Sequence, residues 1–325
     1  MKTLVTGGTG FVGSVLVRQL LAQQVDVRIL RRATSKLDLL GSVAGEVEHV
    51  IGDITDPTSL DVAMRNVDRV YHVAALVDMG GRRARHRLHR VNVHGTACVV
   101  NAALREGVRR LVHTSSIAAI GRRQGPVITL NENVVWQQSR LNTPYAVSKH
   151  KAEIEIHRGI AEGLDAVMVN PSLVFGPGRQ GENTMQIVER LEAGSIPAVS
   201  PGGMNVVDVE DVASGHILAM ERGQTGARYI LGAENLTWKR IFATLAAALG
   251  VEPPQRQLAP KTFVALGALA ESWAFLTGGS PVLTRTLARN LAQIVRFQND
   301  RAVSELGCSF RPFADTAQRT AAALA

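Results

Sequence analysis

The sequence has little cysteine, few aromatic residues and fewer acids than bases. Two cysteines in 325 residues, Cys98 and Cys308, cannot build a disulfide framework, and their rarity fits a reducing compartment. Aromatic residues make up 4% of the chain, so the core must be mainly aliphatic. Long apolar runs are also missing. The most apolar late stretch, Phe263 to Leu276, is interrupted by Gly267, Glu271 and Ser272, too short and too broken to span a bilayer. The opening Met1-Lys2-Thr3-Leu4-Val5-Thr6 reads as a buried strand rather than a cleavable signal. A cytoplasmic protein without a membrane segment is expected. The acid shortfall, a net charge of +8, is local. Arg82, Arg83, Arg85, Arg87 and Arg90 lie within nine residues, and without these five the balance falls from +8 to +3. This patch lacks interleaved aromatics for stacking bases, so no nucleic-acid partner is expected. With 46% hydrophobic and 20% charged residues the composition is globular, which excludes disorder, and the length suits one large domain or two closely joined ones.

Short apolar runs alternate with helical stretches through the first half. Expected strands are Thr3–Thr6, Val25–Leu30, Val47–Ile51, Arg69–Val73, Leu111–Thr114 and Ala166–Asn170. Between them, Phe11–Leu21, Leu60–Arg65, Val91–Arg105 and Tyr145–Ala161 carry apolar residues at three- and four-residue spacing. Such alternation predicts parallel strands joined by crossover helices, covered on both faces. After Pro171 the rhythm loosens. Helices are expected over Thr184–Ala193, Val209–Glu221, Trp238–Leu249, Phe263–Leu276 and Pro281–Ala292. The reading is an α/β, Rossmann-type doubly wound parallel sheet with a smaller, mainly helical C-terminal lobe. Residues 1–172, with 206–232, form the first unit, and 173–205 with 233–325 the second.

The sharpest local signal is Thr6-Gly7-Gly8-Thr9-Gly10-Phe11-Val12-Gly13, after a strand and opening a helix. Gly7, Gly10 and Gly13 meet three needs: a tight turn, backbone approach to a pyrophosphate, and close helix–strand packing. The helix N-terminus adds free N–H groups and partial positive charge. A glycine-rich turn can also exist with no ligand. The second strand ends Leu30-Arg31-Arg32-Ala33, with no acid to hold a ribose hydroxyl. Two guanidiniums there suit a 2′-phosphate, so NADP(H) is favoured over NAD(H), with Arg32 the better candidate. Alternatively this is a solvated basic strand end. Asp53 can accept from an adenine amino group with Ile54 against the ring, or simply form a turn. Ala74 and Ala75 would let a cofactor pass close to the backbone, and His72 reads as a core-edge histidine.

Tyr145 and Lys149 stand four apart after Pro144, a helix-start residue, and so share one helix face. An ammonium beside a phenol favours phenolate and is expected to lower the tyrosine pKa. The phenol can then exchange a proton with a carbonyl or alcohol oxygen. Serines follow the fifth strand, where a hydroxyl can support negative charge on a substrate oxygen or merely cap a helix.

The chain resembles the extended short-chain dehydrogenases/reductases. The residues that carry the likeness are Thr6–Gly13, Asp53-Ile54, His72–Ala75, Asn92–Thr96, Thr114–Ser116, Tyr145–Lys149, Asn170–Gly178 and Asp208–Ala213, in family order. Within it, the dihydroflavonol-reductase-like proteins and the bacterial epimerase/dehydratase relatives look closest. The resemblance implies a catalytic Ser116, Tyr145 and Lys149. It implies cofactor contacts from Gly7, Thr9, Gly10, Phe11, Val12, Gly13, Arg31, Arg32, Asp53, Ile54, Val73, Ala74, Ala75, Asn92, Thr114, Ser115, Tyr145, Lys149, Asn170, Pro171, Ser172 and Val174. Asn92 would support the active site, and Pro171, Ser172 and Val174 would line the nicotinamide. Departures are Asn170-Pro171 and Phe175-Gly176 in place of the Arg-Pro and Tyr-Gly of many nucleotide-sugar enzymes. Ile117 and Ala118 replace the Asp-Glu of sugar dehydratases, which argues against dehydration.

The expected activity is NADPH-dependent reduction of a ketone or aldehyde. The alternative is a nucleotide-sugar epimerase with retained NAD(P). A cofactor-binding protein without chemistry fits the Ser–Tyr–Lys set poorly. A small-molecule carbonyl, alcohol or sugar is the expected substrate. Dimerisation through the helices near 91–106 and 145–162 follows only by analogy. The Arg82–Arg90 stretch reads either as a solvated loop or as a mobile loop that attracts an anionic substrate. His86-x-x-His89 and Glu153-x-x-x-His157 lack a third ligand, so no metal is expected. Cys98 reads as core. Trp238, Trp273 and Phe275 are expected to pack in the core, with the substrate lobe as the other option.

Overall fold

The structure, a computed structural model, describes residues 1–78, 82–123, 125, 127–277 and 283–324, without the side chains of residues 82, 83, 275 and 276. The strands are β1 (Lys2–Thr6), β2 (Asp26–Arg31), β3 (Glu48–Ile51), β4 (Arg69–His72), β5 (Arg110–Thr114), β6 (Val127–Leu130), β7 (Ala166–Pro171), β8 (Leu173–Phe175), β9 (Gly203–Asp208), β10 (Arg228–Leu231), β11 (Glu234–Thr237) and β12 (Ile294–Phe297). Seven of them form one parallel sheet in the order β10-β7-β5-β4-β1-β2-β3.

Several of the expected strands are near-continuously apolar because both sheet faces are covered. Successive residues point to opposite faces. Thus Val5, Ile29, Val112 and Val167 join one core cluster, beside Leu16 and Ile217 of helices Phe11–Ala22 and Val209–Arg222. Their neighbours Leu4, Leu30, Leu111 and Met168 join the other, beside Leu60, Val99 and Ile156 of helices Pro57–Met64, Gly95–Arg105 and Pro144–Ala161. Each fully buried aliphatic side chain stabilises the fold by about 1.5–3 kcal/mol relative to an exposed one.

Chain direction reverses between β1 and β4: β1 leads outward to β2 and β3, while β4 leads the other way to β5, β7 and β10. Ligands of open parallel sheets bind beyond the carboxyl ends of the strands at such a point. The register sets Thr6 beside both Leu30 and His72 at that end.

The second lobe differs from the mainly helical expectation. It contains helices and a second sheet of mixed direction, β11-β9-β12-β6, with β8 also paired to β9. β6 comes from the first half of the chain, so this sheet ties the two halves together. The expected helix from Pro281 begins, among the described residues, at Arg285, where the Thr284 hydroxyl accepts from the Leu287 N–H at 3.1 Å and caps it. Pro281 and Val282 lie outside the described residues. The Arg82–Arg90 stretch is not a loop. It is a helix, Arg82–Leu88, running into a π-helical stretch, His89–His94. Ala84 and Leu88 face inward while Arg85, Arg87 and Arg90 remain exposed.

Candidate active site

The glycine turn has the shape a pyrophosphate needs. Gly7 has φ +73°, a conformation that favours glycine, and a Cβ there would lie 2.7 Å from the Ala74 nitrogen. A Cβ on Gly13 would lie 2.1 Å from the Gly7 carbonyl oxygen. Gly10 donates its N–H to that same carbonyl at 3.0 Å, closing the turn. The helix Phe11–Ala22 has no side-chain cap and no acid in its first turn, so its end is available to an anion. Thr9, Phe11, Val12 and Val73 are half-buried along this rim, and Ala75 is exposed.

At the end of β2 the two arginines differ. Arg31 Nε donates to His49 Nδ1 at 2.8 Å and lies along the sheet edge. Arg32 is exposed, and its guanidinium makes no hydrogen bond or ion pair with the described residues. Asp53 Oδ1 accepts from the Thr55 N–H and hydroxyl, both at 2.8 Å, so this oxygen forms a turn. Oδ2 takes no such bond. Burial works to raise the Asp53 pKa, but Thr55, Arg32 and Arg90 outweigh it and the carboxyl stays below its usual range. Of the Arg82–Arg90 stretch, Arg90 therefore acts electrostatically on Asp53. Ile54, expected against the adenine ring, is 8% exposed and lies against Gly95.

Ser116 ends the segment after β5 and caps the short helix Ile117–Ile120, its Oγ accepting from the Ala118 N–H at 3.2 Å. Ser116 also acts on the Tyr145 phenol, opposing the rise in its pKa that burial causes. Tyr145 starts the helix Pro144–Ala161, capped by Thr143. Lys149, one turn on, is buried and donates from Nζ to the Thr114 carbonyl at 2.7 Å. One expectation is corrected here. Burial raises the Tyr145 pKa, Ser116 alone opposes that rise, and Lys149 contributes no lowering. Lys149 is itself brought down to about 8 by burial, against the pull of Glu153.

Asn92 sits in the π-helical stretch and holds the site together. Its Oδ1 accepts from the Leu76 N–H at 2.7 Å, and its Nδ2 donates to the Leu76 carbonyl at 2.9 Å and to Ser148 Oγ at 3.0 Å. Ser148 in turn donates to the Tyr145 carbonyl at 2.8 Å. Behind it, Thr96 donates to the Asn92 carbonyl, so its oxygen accepts from His72 Nε2, and His72 Nδ1 accepts from Thr6. His72 is fully buried, and burial with the nearby Lys149 brings it down to about 3. It is a neutral relay in the wall, as the core-edge reading expected.

Three residues expected to touch cofactor are engaged elsewhere. Ser115 Oγ donates to Glu153 Oε1 at 2.6 Å, and Asn170 Nδ2 donates to the same oxygen at 2.7 Å and to the Ser116 carbonyl at 3.0 Å. Arg228 Nη1 completes the group, 3.4 Å from Glu153 Oε2. Thr114 Oγ1 bonds His216 Nε2 at 2.6 Å. Glu153 and Arg228 had no role in the sequence reading beyond a rejected metal pattern, because their partners lie on β5 and β7, far away in the chain. Pro171 is buried, Val174 is half-buried, and Ser172 Oγ is buried without a partner, an orphan that suits a polar ligand atom. Three features of this rim therefore fit a bound dinucleotide: the Gly7 and Gly13 cradle, the uncapped helix end and the Ser172 hydroxyl.

Elsewhere, Trp238 and Cys98 are core, as expected, whereas Trp273 is 70% exposed, because its helix packs on one face only. The side chain of Phe275 lies outside the described residues. No cluster of three or more metal-ligating residues exists among the described residues. No described helix is long and apolar enough to cross a membrane.

Residues 4–232 match the 3-beta hydroxysteroid dehydrogenase/isomerase family. The chain belongs to this family of extended short-chain dehydrogenases/reductases, and it is an NAD(P)-dependent oxidoreductase. A Synechocystis protein provisionally named a dihydroflavonol 4-reductase is 36% identical over 93% of this chain and 88% of its own length. The 2-alkyl-3-oxoalkanoate reductase of Stenotrophomonas maltophilia is 32% identical over 90% of this chain and 89% of its own. The crystal structure of gox2253 superposes with a TM-score of 0.86, at 35% identity, covering 99% of this chain and 97% of that one. The family thus agrees with the resemblance carried by the glycine turn and the Tyr–Lys pair.

Proposed function

We propose that this family member reduces a ketone or aldehyde with NADPH. The observation that carries the reading is the convergence of Ser116, Tyr145 and Lys149 beyond the carboxyl end of β5. Arg32, unpaired at the end of β2 where an acid would hold NAD, supports NADPH. Relatives named for reducing a dihydroflavonol and a 2-alkyl-3-oxoalkanoate support a carbonyl substrate.

When bound, the nicotinamide supplies the hydride equivalent. The chain supplies the rest. Ser116 donates a hydrogen bond to the carbonyl oxygen and polarises it. Tyr145 gives that oxygen a proton. Because burial raises its pKa, the phenol is protonated at neutral pH, the state a proton donor requires. Lys149 shares the helix face, where its ammonium, held by the Thr114 carbonyl, would hydrogen-bond the nicotinamide ribose and so fix the cofactor beside the phenol. The Asn92–Ser148 link holds the first turn of this helix in register with the crevice wall.

The test is a pair of fluorescence titrations with NADPH and NADH, followed by a carbonyl screen that reads NADPH absorbance. Tighter NADPH, weakened by Arg32→Ser, and net oxidation by a carbonyl are expected. Tighter NADH, or copurified NAD with an isomer product and no net turnover, would overturn the proposal in favour of an epimerase.

A further inference from the structure

A cavity of about 410 Å³ lies outside the described catalytic set, lined by Arg140, Leu141, Val264, Arg289 and Gln293. It is bounded by the segment leading into the catalytic helix, by helix Pro260–Thr277 and by helix Arg285–Leu291. Arg140 stands five residues before Tyr145. The Asn290 amide joins the two sides, donating to the Leu141 carbonyl at 2.9 Å. Gln293 Nε2 reaches the Arg123 carbonyl at 3.4 Å and the Gly125 carbonyl at 3.1 Å, bringing these two residues alongside.

The charge in this place is one-sided. Segments 115–131, 133–152 and 272–299 contain no Asp or Glu. Glu271, on the helix that supplies Val264, accepts from the Arg285 N–H at 3.0 Å and caps the next helix. Neither Arg140 nor Arg289 makes a hydrogen bond or ion pair with any described residue. Two guanidiniums that line one cavity without an acidic partner among the described residues each keep planar donors suited to an oxoacid. Among the described residues, Gln293 Oε1, on a residue that lines the cavity, is buried with no donor, an acceptor left for a hydroxyl or N–H.

We propose that this cavity is an anion subsite for the substrate, in which Arg140 and Arg289 together grip a carboxylate or phosphate carried by the carbonyl compound. The substrate class is then an anionic ketone or aldehyde. This rests on Tyr145 as the centre of reduction. It also gives the positive charge of the chain a role apart from the Arg82–Arg90 stretch.

Two measurements separate the subsite from the reductase reading. In the first, protein saturated with NADPH, which occupies the cofactor phosphate sites, is titrated with malonate, inorganic phosphate and pyrophosphate while thermal unfolding is followed. The wild type should gain stability and Arg140→Gln/Arg289→Gln should not. No gain in either, or equal gains in both, overturns the subsite. In the second, acetoacetate and its methyl ester are compared as substrates. The acid-to-ester ratio of kcat/KM should fall about tenfold in each single variant. Competitive inhibition by a nucleoside diphosphate, lost in the double variant, would assign the subsite to phosphate; its absence alongside acid preference would assign it to carboxylate. Turnover of esters and acids alike, insensitive to both arginines, sinks the subsite and leaves the reductase. An arginine-dependent anion shift without turnover of any carbonyl does the reverse.

Discussion

The two sides of the catalytic helix treat polar groups in opposite ways. On the sheet side, Thr6, His72, Thr96, Asn92 and Ser148 pass hydrogen bonds from β1 to the first turn of the helix. Glu153 gathers Ser115, Asn170 and Arg228. On the lobe side, Arg140 and Arg289 face a cavity without partners, and Gln293 and Asn290 leave oxygens unbonded. Groups that satisfy one another fix a geometry; groups that do not are available to a ligand. On the proposed reading, the first side serves hydride transfer and the second binds what distinguishes the substrate. Ser172 Oγ, buried and unbonded at the end of β7, is an exception that lies on the cofactor rim.

The largest effect should come from the sheet side. Tyr145→Phe removes the proton donor and should lower kcat by about 10³-fold in stopped-flow NADPH oxidation. A rate within tenfold of wild type would break the reading of this side as catalytic. Glu153→Ala leaves a half-buried guanidinium, a buried serine and a buried asparagine without their shared acceptor and should cost about 1–3 kcal/mol in urea unfolding. A loss below about 1 kcal/mol would mean that the network is not the rigid element proposed.

The buried bases give the sheet side a pH signature. Burial holds His72 at about 3 and His216 at about 4, both below the ordinary 6.5. Above pH 6.5 both forms of the chain are neutral at these sites. Below it the unfolded chain takes up protons that the folded chain refuses, so stability falls from pH 6.5 towards 4, by about 1.4 kcal/mol per pH unit for each histidine. Lys149, brought down to about 8 from 10.5, adds stability as pH rises across that interval. Urea midpoints over both ranges check the signs, and Lys149→Met should remove the alkaline rise. The smallest effect should be on the lobe side: Trp273→Ser exchanges an exposed ring and should change stability by less than about 0.5 kcal/mol in thermal unfolding.

The legible parts of the sequence were those whose cause is local. Six strands of the main sheet can be read because burial on both faces makes them apolar, as in Leu4-Val5 and Val167-Met168. β10 and the second sheet cannot. Strands such as Glu234-Asn235-Leu236-Thr237 are short and mixed, and their pairing joins segments far apart in the chain. The glycine turn and the Tyr145–Lys149 pair follow from spacing. Ser115, Thr114 and Asn170 read as cofactor contacts because they end strands at the right edge, yet Glu153 and His216 claim their side chains. The Tyr145 shift was misjudged for a related reason: spacing shows that an ammonium is near but not how deeply the phenol is buried.

Period and steric demand act over a few residues, so the sequence alone determined the parallel sheet, the backbone cradle at Gly7 and Gly13, and the helix bearing a phenol and an ammonium on one face. Hydrogen-bond partners, burial and unpaired charge depend on distant segments meeting. Only the tertiary structure therefore decided that Glu153 anchors the strand ends, that Tyr145 stays protonated, and that Arg140 and Arg289 share one empty space.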